Sequence, residues 1–301
     1  MLKARVLAVL FVVLAGAGWV VPAAAQNGKS PQEQQLEAAF ASASKVAVRG
    51  PNPVKVLEQA QLNLPAGYVF VPRPEADQLM RAMGNMGDER MVGLIFPQDD
   101  QQWMAVVKYE NSGYIPDDDA RNWNVDDLFN NLKQGTEEAN KDRRSRGFPE
   151  LEIVGWAERP RYDAATHRLV WSMAARSKGA PAEAPNGVNY NTYALGREGY
   201  VSLNLISDIK TVEHDKSHAQ TLLAALEFTS GKKYADFNAS TDRMAEYGLA
   251  ALVGGVAAKK LGFFALMAAF FAKFAKVIGI AVFALGAAAV KFFRRDKKPS
   301  A

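Results

Sequence analysis

Apolar residues alternate with polar ones through the middle of the chain and run almost unbroken at its two ends. In the middle, Gln102–Tyr109 alternates best, with Trp103, Ala105, Val107 and Tyr109 on one face, which predicts a half-buried strand. Strands are also predicted at Tyr68–Val71, Met91–Phe96, Leu151–Ala157, Arg168–Ala175, Val188–Leu195 and Tyr200–Ile206. Gly196-Arg197-Glu198-Gly199 joins the last two as a tight hairpin. Helical spacing appears weakly in Ala-rich Glu33–Val48 and more clearly in Val125–Arg146 and Thr211–Leu226. Asn124 or Asp126 can cap the second of these helices, with Leu128, Leu132 and Phe129 facing the core. Its last turn is basic and Gly147 follows, a residue suited to a left-handed cap.

Strand runs flanked by single helices predict an α+β fold, an antiparallel sheet flanked by helices. This order resembles the PsbP/Mog1 type of sandwich, in which a final helix packs on the sheet. That is a likeness of architecture and carries no function.

The ends give an address. Lys3 and Arg5 precede an apolar run that closes in Pro22-Ala23-Ala24-Ala25, which predicts a signal peptide cleaved after Ala25. The second apolar region, Tyr247–Val290, is interrupted by Lys259-Lys260, Lys273 and Lys276. A charge at mid-bilayer costs roughly 2.5–3.5 kcal/mol, so those lysines do not sit at the centre of a span. A single transmembrane helix over Phe274–Phe293 lets Lys276 and Lys291 reach opposite interfaces and approaches the roughly 20 residues a span needs. Tyr247–Phe271 then lies on or in the outer leaflet, where Gly254-Gly255 and many alanines suit helix packing. The competing reading is a two-pass hairpin broken at Lys259-Lys260. The tail after Val290 holds five Lys/Arg and one Asp, which favours the cytoplasmic side.

Charge sharpens this topology. The whole chain carries a net charge of +4, but residues 27–243 hold 25 Lys/Arg and 30 Asp/Glu, a net of 25 − 30 = −5. The positive charge sits in the ends, where the tail meets anionic lipid, and nothing argues for nucleic-acid binding. The chain has no Cys, which excludes disulfides, thiol chemistry and Cys-ligated metal. The expected organisation is a signal peptide (1–25), a linker and short helix (26–54), an extracytoplasmic domain (55–243), a membrane-interfacial and transmembrane segment (244–293) and a basic cytoplasmic tail (294–301).

Candidate chemistry is sparse. Asp117, Asp118 and Asp119, with Asp126 and Asp127 beyond, could offer oxygen ligands to Ca²⁺, but EF-hand spacing is absent. A solvated loop leading into the N-terminus of the following helix, where acids are favourable, is the expected reading. His214 and His218 share a helix face but lack further ligands, so a solvated face is expected. Ser42-x-x-Lys45 and Ser207-x-x-Lys210 match an acyl-enzyme spacing without its partner motifs. There is no nucleophile elbow, phosphate-binding loop or dinucleotide fingerprint. No cofactor and no metal is expected. Trp123, in the polar loop Asp119–Asn124, is a candidate exposed anchor for a partner.

Several stretches share one likeness: Leu64-Pro65-x-Gly67-Tyr68, Gly93-Leu94-Ile95-Phe96-Pro97, Gly113-Tyr114-Ile115-x-Asp117-Asp118-Asp119-Ala120 and Thr166-His167-x-Leu169-x-Trp171. Leu195-Gly196-Arg197-x-Gly199-Tyr200 and Asp236-Phe237-Asn238-x-x-Thr241-Asp242 belong with them. Together they resemble a family of bacterial membrane-anchored proteins known only as a domain of unknown function. The likeness covers about residues 55–295. It implies a tethered domain and supplies no activity, but its polar matches mark where a site would lie: Asp117–Asp119, His167, Asp236, Asn238 and Asp242. The expected function is a non-enzymatic binding or scaffold protein of the envelope, meeting membrane lipid and either an envelope protein or itself through the C-terminal segment. The alternative is an envelope hydrolase or small-ligand or Ca²⁺ module built on loop 117–127 and His167.

Overall fold

Period-two burial organises the centre of the molecule. The computed structural model describes residues 31–254, except 84, 86, 146, 182 and 185. The expected signal peptide, the span Phe274–Phe293 and the basic tail lie outside the described residues. Among the described residues no helix is long and apolar enough to cross a membrane.

Eight strands form one antiparallel sheet: β1 (Val48–Arg49), β4 (Tyr68–Pro72), β5 (Met91–Pro97), β6 (Met104–Glu110), β7 (Leu151–Asp163), β8 (Arg168–Ser177), β9 (Gly187–Leu195) and β10 (Tyr200–Asp208). Their spatial order is β1-β4-β5-β6-β10-β9-β8-β7. A second, three-stranded antiparallel sheet has the order β11-β3-β2, from β2 (Asn52–Val56), β3 (Ala60–Leu64) and β11 (Leu226–Phe228). Pro53 sits on its edge strand, where a missing N–H costs no ladder bond. The helices are α1 (Pro31–Val46), α2 (Glu75–Ala82), α3 (Val125–Ser145), α4 (Val212–Ala224) and the short α5 (Ala251–Gly254).

The large sheet buries both faces. On the first face, Ala105, Val107, Val201, Leu203 and Leu205 meet the small sheet and α4, whose Val212, Ala219, Leu222 and Leu223 point inward. On the second face there are two separate apolar covers. Leu36, Phe40 and Ala43 of α1 join Ala76 and Leu79 of α2 over Leu94, Phe96 and Val106. At the other end, Leu128 of α3 joins Tyr234, Leu249 and Val253 over Leu169, Trp171 and Leu195.

The folded region is therefore larger than 55–243. The short helix expected at Glu33–Val48 is α1, and it packs into a core of the domain. Residues 247–254 pack into the domain itself: Leu249 and Val253 are 0 % and 1 % exposed within its third core. The small residues at Gly248 and Ala251 thus pack on the sheet-bearing domain itself. Helix α3 is capped as its sequence predicts, with the N–H groups of Asp126 and Asp127 donating to Asn124 Oδ1 at 3.0 and 3.2 Å.

Candidate functional site

The predicted polar residues gather around residues 229–254, which cross the molecule as a strap. The strap starts beside the small sheet, where Thr229 N–H donates to Gln59 O at 3.0 Å. It passes the β9–β10 hairpin, where Arg197 N–H donates to Lys232 O at 2.9 Å. It then pairs with the loop after β6: Tyr114 N–H donates to Arg243 O at 2.9 Å and Ala245 N–H to Tyr114 O at 2.8 Å. Gly113 makes this approach possible. Its φ is +88°, and a Cβ there would lie 2.6 Å from Arg243 O. The strap ends under β8, where Trp171 Nε1–H donates to Leu252 O at 3.2 Å.

Asp117, Tyr162 and His167 form a chain of polar contacts beside the strap. Tyr162 Oη donates to Asp117 Oδ2 at 2.8 Å and lies 3.1 Å from His167 Nδ1. One hydroxyl carries one proton, so the second contact requires Nδ1–H to donate to Tyr162. Burial, then the bond to Asp117, pushes the Tyr162 phenol far above its usual range and keeps it protonated. His167 sits at the end of the β7–β8 turn with φ +52°, and its O accepts Leu195 N–H at 3.0 Å. Its ring stacks on Tyr234 at 4.0 Å between centroids. Tyr234 Oη in turn donates to Ile115 O at 2.8 Å. The aromatic pile continues through Tyr114 to Phe237.

The other predicted residues bond backbone and side chains of the strap and its neighbours, Asp119 from a half-buried position and Asn238 from an exposed one. Asp119 Oδ2 accepts Ala250 N–H at 3.0 Å, and burial raises its carboxyl above the ordinary range. Asp236 Oδ2 accepts Lys233 N–H at 2.9 Å and closes the turn before Phe237. Asn238 Oδ1 accepts both N–H and Oγ–H of Ser240. Asp242 takes a two-point contact from Arg197, Nε at 2.6 Å and Nη2 at 2.8 Å, and accepts Asn238 N–H at 2.8 Å. Arg197 therefore holds Asp242 well below the usual carboxylate range.

Within the aspartate run, Asp117 faces Tyr162 while Asp119 faces Ala250. Among the described residues no group of three or more His, Asp or Glu fit to hold a metal occurs. Two expectations change. Trp123 is not an exposed anchor but is half-buried against the third core, because the turn Asp118–Asn122 folds it back onto α3 and the strap. His218 is not on a solvated face. It stacks on Trp103 at 4.9 Å, shares a 2.9 Å hydrogen bond with Tyr68 Oη through Nδ1, and burial lowers its basicity. Ser207 is likewise structural, its hydroxyl given to the buried Asp215 at 2.5 Å.

A family described as "Protein of unknown function (DUF2167)" matches residues 49–286. The chain belongs to this family. No curated protein matches the sequence. Among solved structures, cyanobacterial PsbP (CyanoP) from Synechocystis sp. PCC 6803 is similar at 11 % identity and a TM-score of 0.35, over 61 % of this chain and 91 % of that one. A mutant of the protein Mog1 is similar at 10 % identity and a TM-score of 0.30, over 58 % and 94 %. At these scores neither bears on the function of the DUF2167 chain.

The DUF2167 chain also carries a polar hollow that its sequence motifs do not mark. Two adjoining cavities of about 240 and 510 Å³ open on the second face of the large sheet, sharing Arg90, Glu110, Tyr193 and Tyr200. The smaller one is floored by Asn191, Ser202 and Asn204. The signal was present in β10: Ser202 and Asn204 fall on the face that Tyr200 and Ile206 give to the two apolar covers.

Proposed function

We propose that this chain is a non-enzymatic binding or scaffold protein of the bacterial envelope, held at the outer face of the cytoplasmic membrane by the apolar segment that follows Gly254. One observation carries the reading: the polar residues that mark the family likeness tie the strap to the sheet. Asp119, Asp242 and the Asp117–Tyr162–His167 chain all sit at strap contacts. Fixing the strap fixes the direction in which the chain leaves the domain. A fixed exit would hold the domain's surfaces at a set angle to the membrane. The basic tail and the signal-like N-terminus of the sequence supply the orientation. Protease treatment of intact and permeabilised cells tests the placement. Cleavage of the domain in cells whose outer layer alone is opened, with the tail protected, is expected. A protected domain would overturn it.

A second reading rests on the Asp117–Tyr162–His167 chain, which fixes the proton on Nδ1 and leaves Nε2 as the basic nitrogen, as a hydrolytic base requires. Under this reading His167→Asn, which keeps a residue tolerant of the left-handed backbone, abolishes function with thermal unfolding unchanged. Loss of function only together with loss of folding removes it.

A further inference from the structure

The strap carries two unbalanced charges beside the point where the chain leaves the domain. The larger hollow on the second sheet face, about 510 Å³, is lined by Ala251 and Leu252 of α5, and α5 ends at Gly254. Two helical residues separate Leu252 from Gly254, a rise of about 3 Å. The hollow therefore lies beside the residue after which the proposed anchor begins.

Four charged side chains line it, and they divide into two pairs. Arg90 donates to Glu110 at 3.0 Å and also bonds Asp88, so these charges offset one another. Arg243 and Glu246 of the strap have no such compensation. The Arg243 guanidinium donates to Asn111 O and Asn111 Oδ1, both neutral. Glu246 is exposed and has no hydrogen bond or ion pair among the described residues. One free cation and one free carboxylate thus line a single hollow without pairing with each other.

That combination narrows the ligand. A simple anion is drawn to Arg243 and repelled by Glu246, and a simple cation meets the reverse. A metal ion finds one free carboxylate and no cluster of three His, Asp or Glu ligands among the described residues. A zwitterion with its two charges set apart satisfies both side chains at once. The rings of Tyr193, Tyr200 and Tyr247 form the rest of the wall. Tyrosine and arginine suit the boundary between headgroups and water, because each has an apolar body and a polar tip. The headgroup layer is about 5–8 Å deep, and a hollow about 3 Å from the exit falls within that depth. Its volume also lies inside the roughly 300–1,000 Å³ of small-molecule sites.

We propose that this hollow binds the headgroup of a zwitterionic phospholipid, with the phosphate on Arg243 and a primary ammonium on Glu246. The proposal rests on the anchor reading for the presence of lipid and on the strap's two charges for the choice of lipid.

The test is calorimetric titration of the full chain in a non-ionic detergent with dihexanoyl phosphatidylethanolamine. Beside it run dihexanoyl phosphatidylglycerol, which lacks the ammonium, and glycylglycine, a zwitterion that is not a lipid. Saturable binding of phosphatidylethanolamine is expected, with phosphatidylglycerol about tenfold weaker and glycylglycine silent. Glu246→Gln is expected to bring phosphatidylethanolamine down to the phosphatidylglycerol level. Glu246 is exposed and unpartnered, so this variant folds as the parent does. Arg243→Gln is expected to weaken both lipids. The proposal is overturned if phosphatidylethanolamine shows no saturable binding at millimolar concentration, if either companion binds as tightly, or if Glu246→Gln leaves the preference unchanged. Alkaline carbonate extraction of the full chain from its own membranes keeps the two readings apart. A chain that resists extraction yet binds no headgroup loses this proposal alone. A chain that is extracted loses the anchor reading and, with it, the lipid as partner.

Discussion

Asp119 Oδ2 accepts the backbone N–H of Ala250 at 3.0 Å, joining residues 131 positions apart. The bond fixes the strap at the point where it turns into α5. Removing the acceptor strands a partly buried N–H, a loss of roughly 1–3 kcal/mol. Asp119→Ala is therefore expected to lower stability to urea by that amount and to expose 245–254 to limited proteolysis. An unchanged cleavage pattern would contradict the strap's role.

The same residue gives a pH dependence of unusual sign for a carboxyl. Burial raises Asp119 in the folded state, so the native protein binds its proton more tightly than the unfolded chain. Its contribution is full below the unfolded carboxyl value and is lost as pH rises through the folded one. Asp119→Asn keeps an oxygen acceptor and removes that dependence. Its stability relative to the parent is expected to rise from acid to neutral pH, measured by urea unfolding at several pH values.

Arg197 and Asp242 behave in the opposite sense. Arg197 lowers Asp242, so this pair contributes fully above the ordinary carboxyl range and fades as pH falls through the depressed folded value. Asp242→Asn is expected to be destabilising at neutral pH, with the gap to the parent closing under acid. Arg197→Lys will not restore the parent, because Lys cannot make both contacts to Asp242 and reach Gly231 O as well. Equal stability of Arg197→Lys and the parent would show that the two-point geometry is unimportant.

Much of the sheet was legible in the sequence. Trp103, Ala105, Val107 and Tyr109 do share one buried face, and the four strands from β7 to β10 fall at the predicted places. The small sheet was not foreseen, although β3 alternates perfectly, because Pro53 in β2 reads as a breaker until its edge position is known. Helix α2 was missed because only Ala76, Leu79 and Ala82 carry its buried face, over two turns. Of the site, the sequence marked the polar residues but not their use. Asp119 meets Ala250, and Arg197 meets Asp242, only through the topology that lays the strap across the sheet. His218 looked solvated because nothing in its helical spacing reveals that Trp103 and Tyr68 lie against it.

That histidine yields a further expectation. Burial lowers His218, so the folded state takes up its proton less readily than the unfolded chain. Stability is lost as pH falls below the ordinary histidine value toward the folded one. The facing groups are Tyr68, Trp103, His214, Asp215 and Asp99, and the two carboxylates only partly offset the burial. His218→Gln is expected to remove this acid sensitivity. An NMR titration of the His218 ring with a midpoint above that of a free histidine would refute it.

The central claim is that the strap couples a binding domain to a membrane anchor. The most direct measurement is recovery of tagged protein from gently solubilised native membranes, with bound proteins identified by mass spectrometry. The full chain should be compared with a chain ending at Gly254, since ending at Arg243 would also remove Leu249 and Val253 from the third core. The account predicts a near-stoichiometric partner with the full chain, and release of a folded domain from the membrane, with loss of that partner, when the chain ends at Gly254. A full chain that comes away with no partner, or a shortened one that stays membrane-bound, would contradict it.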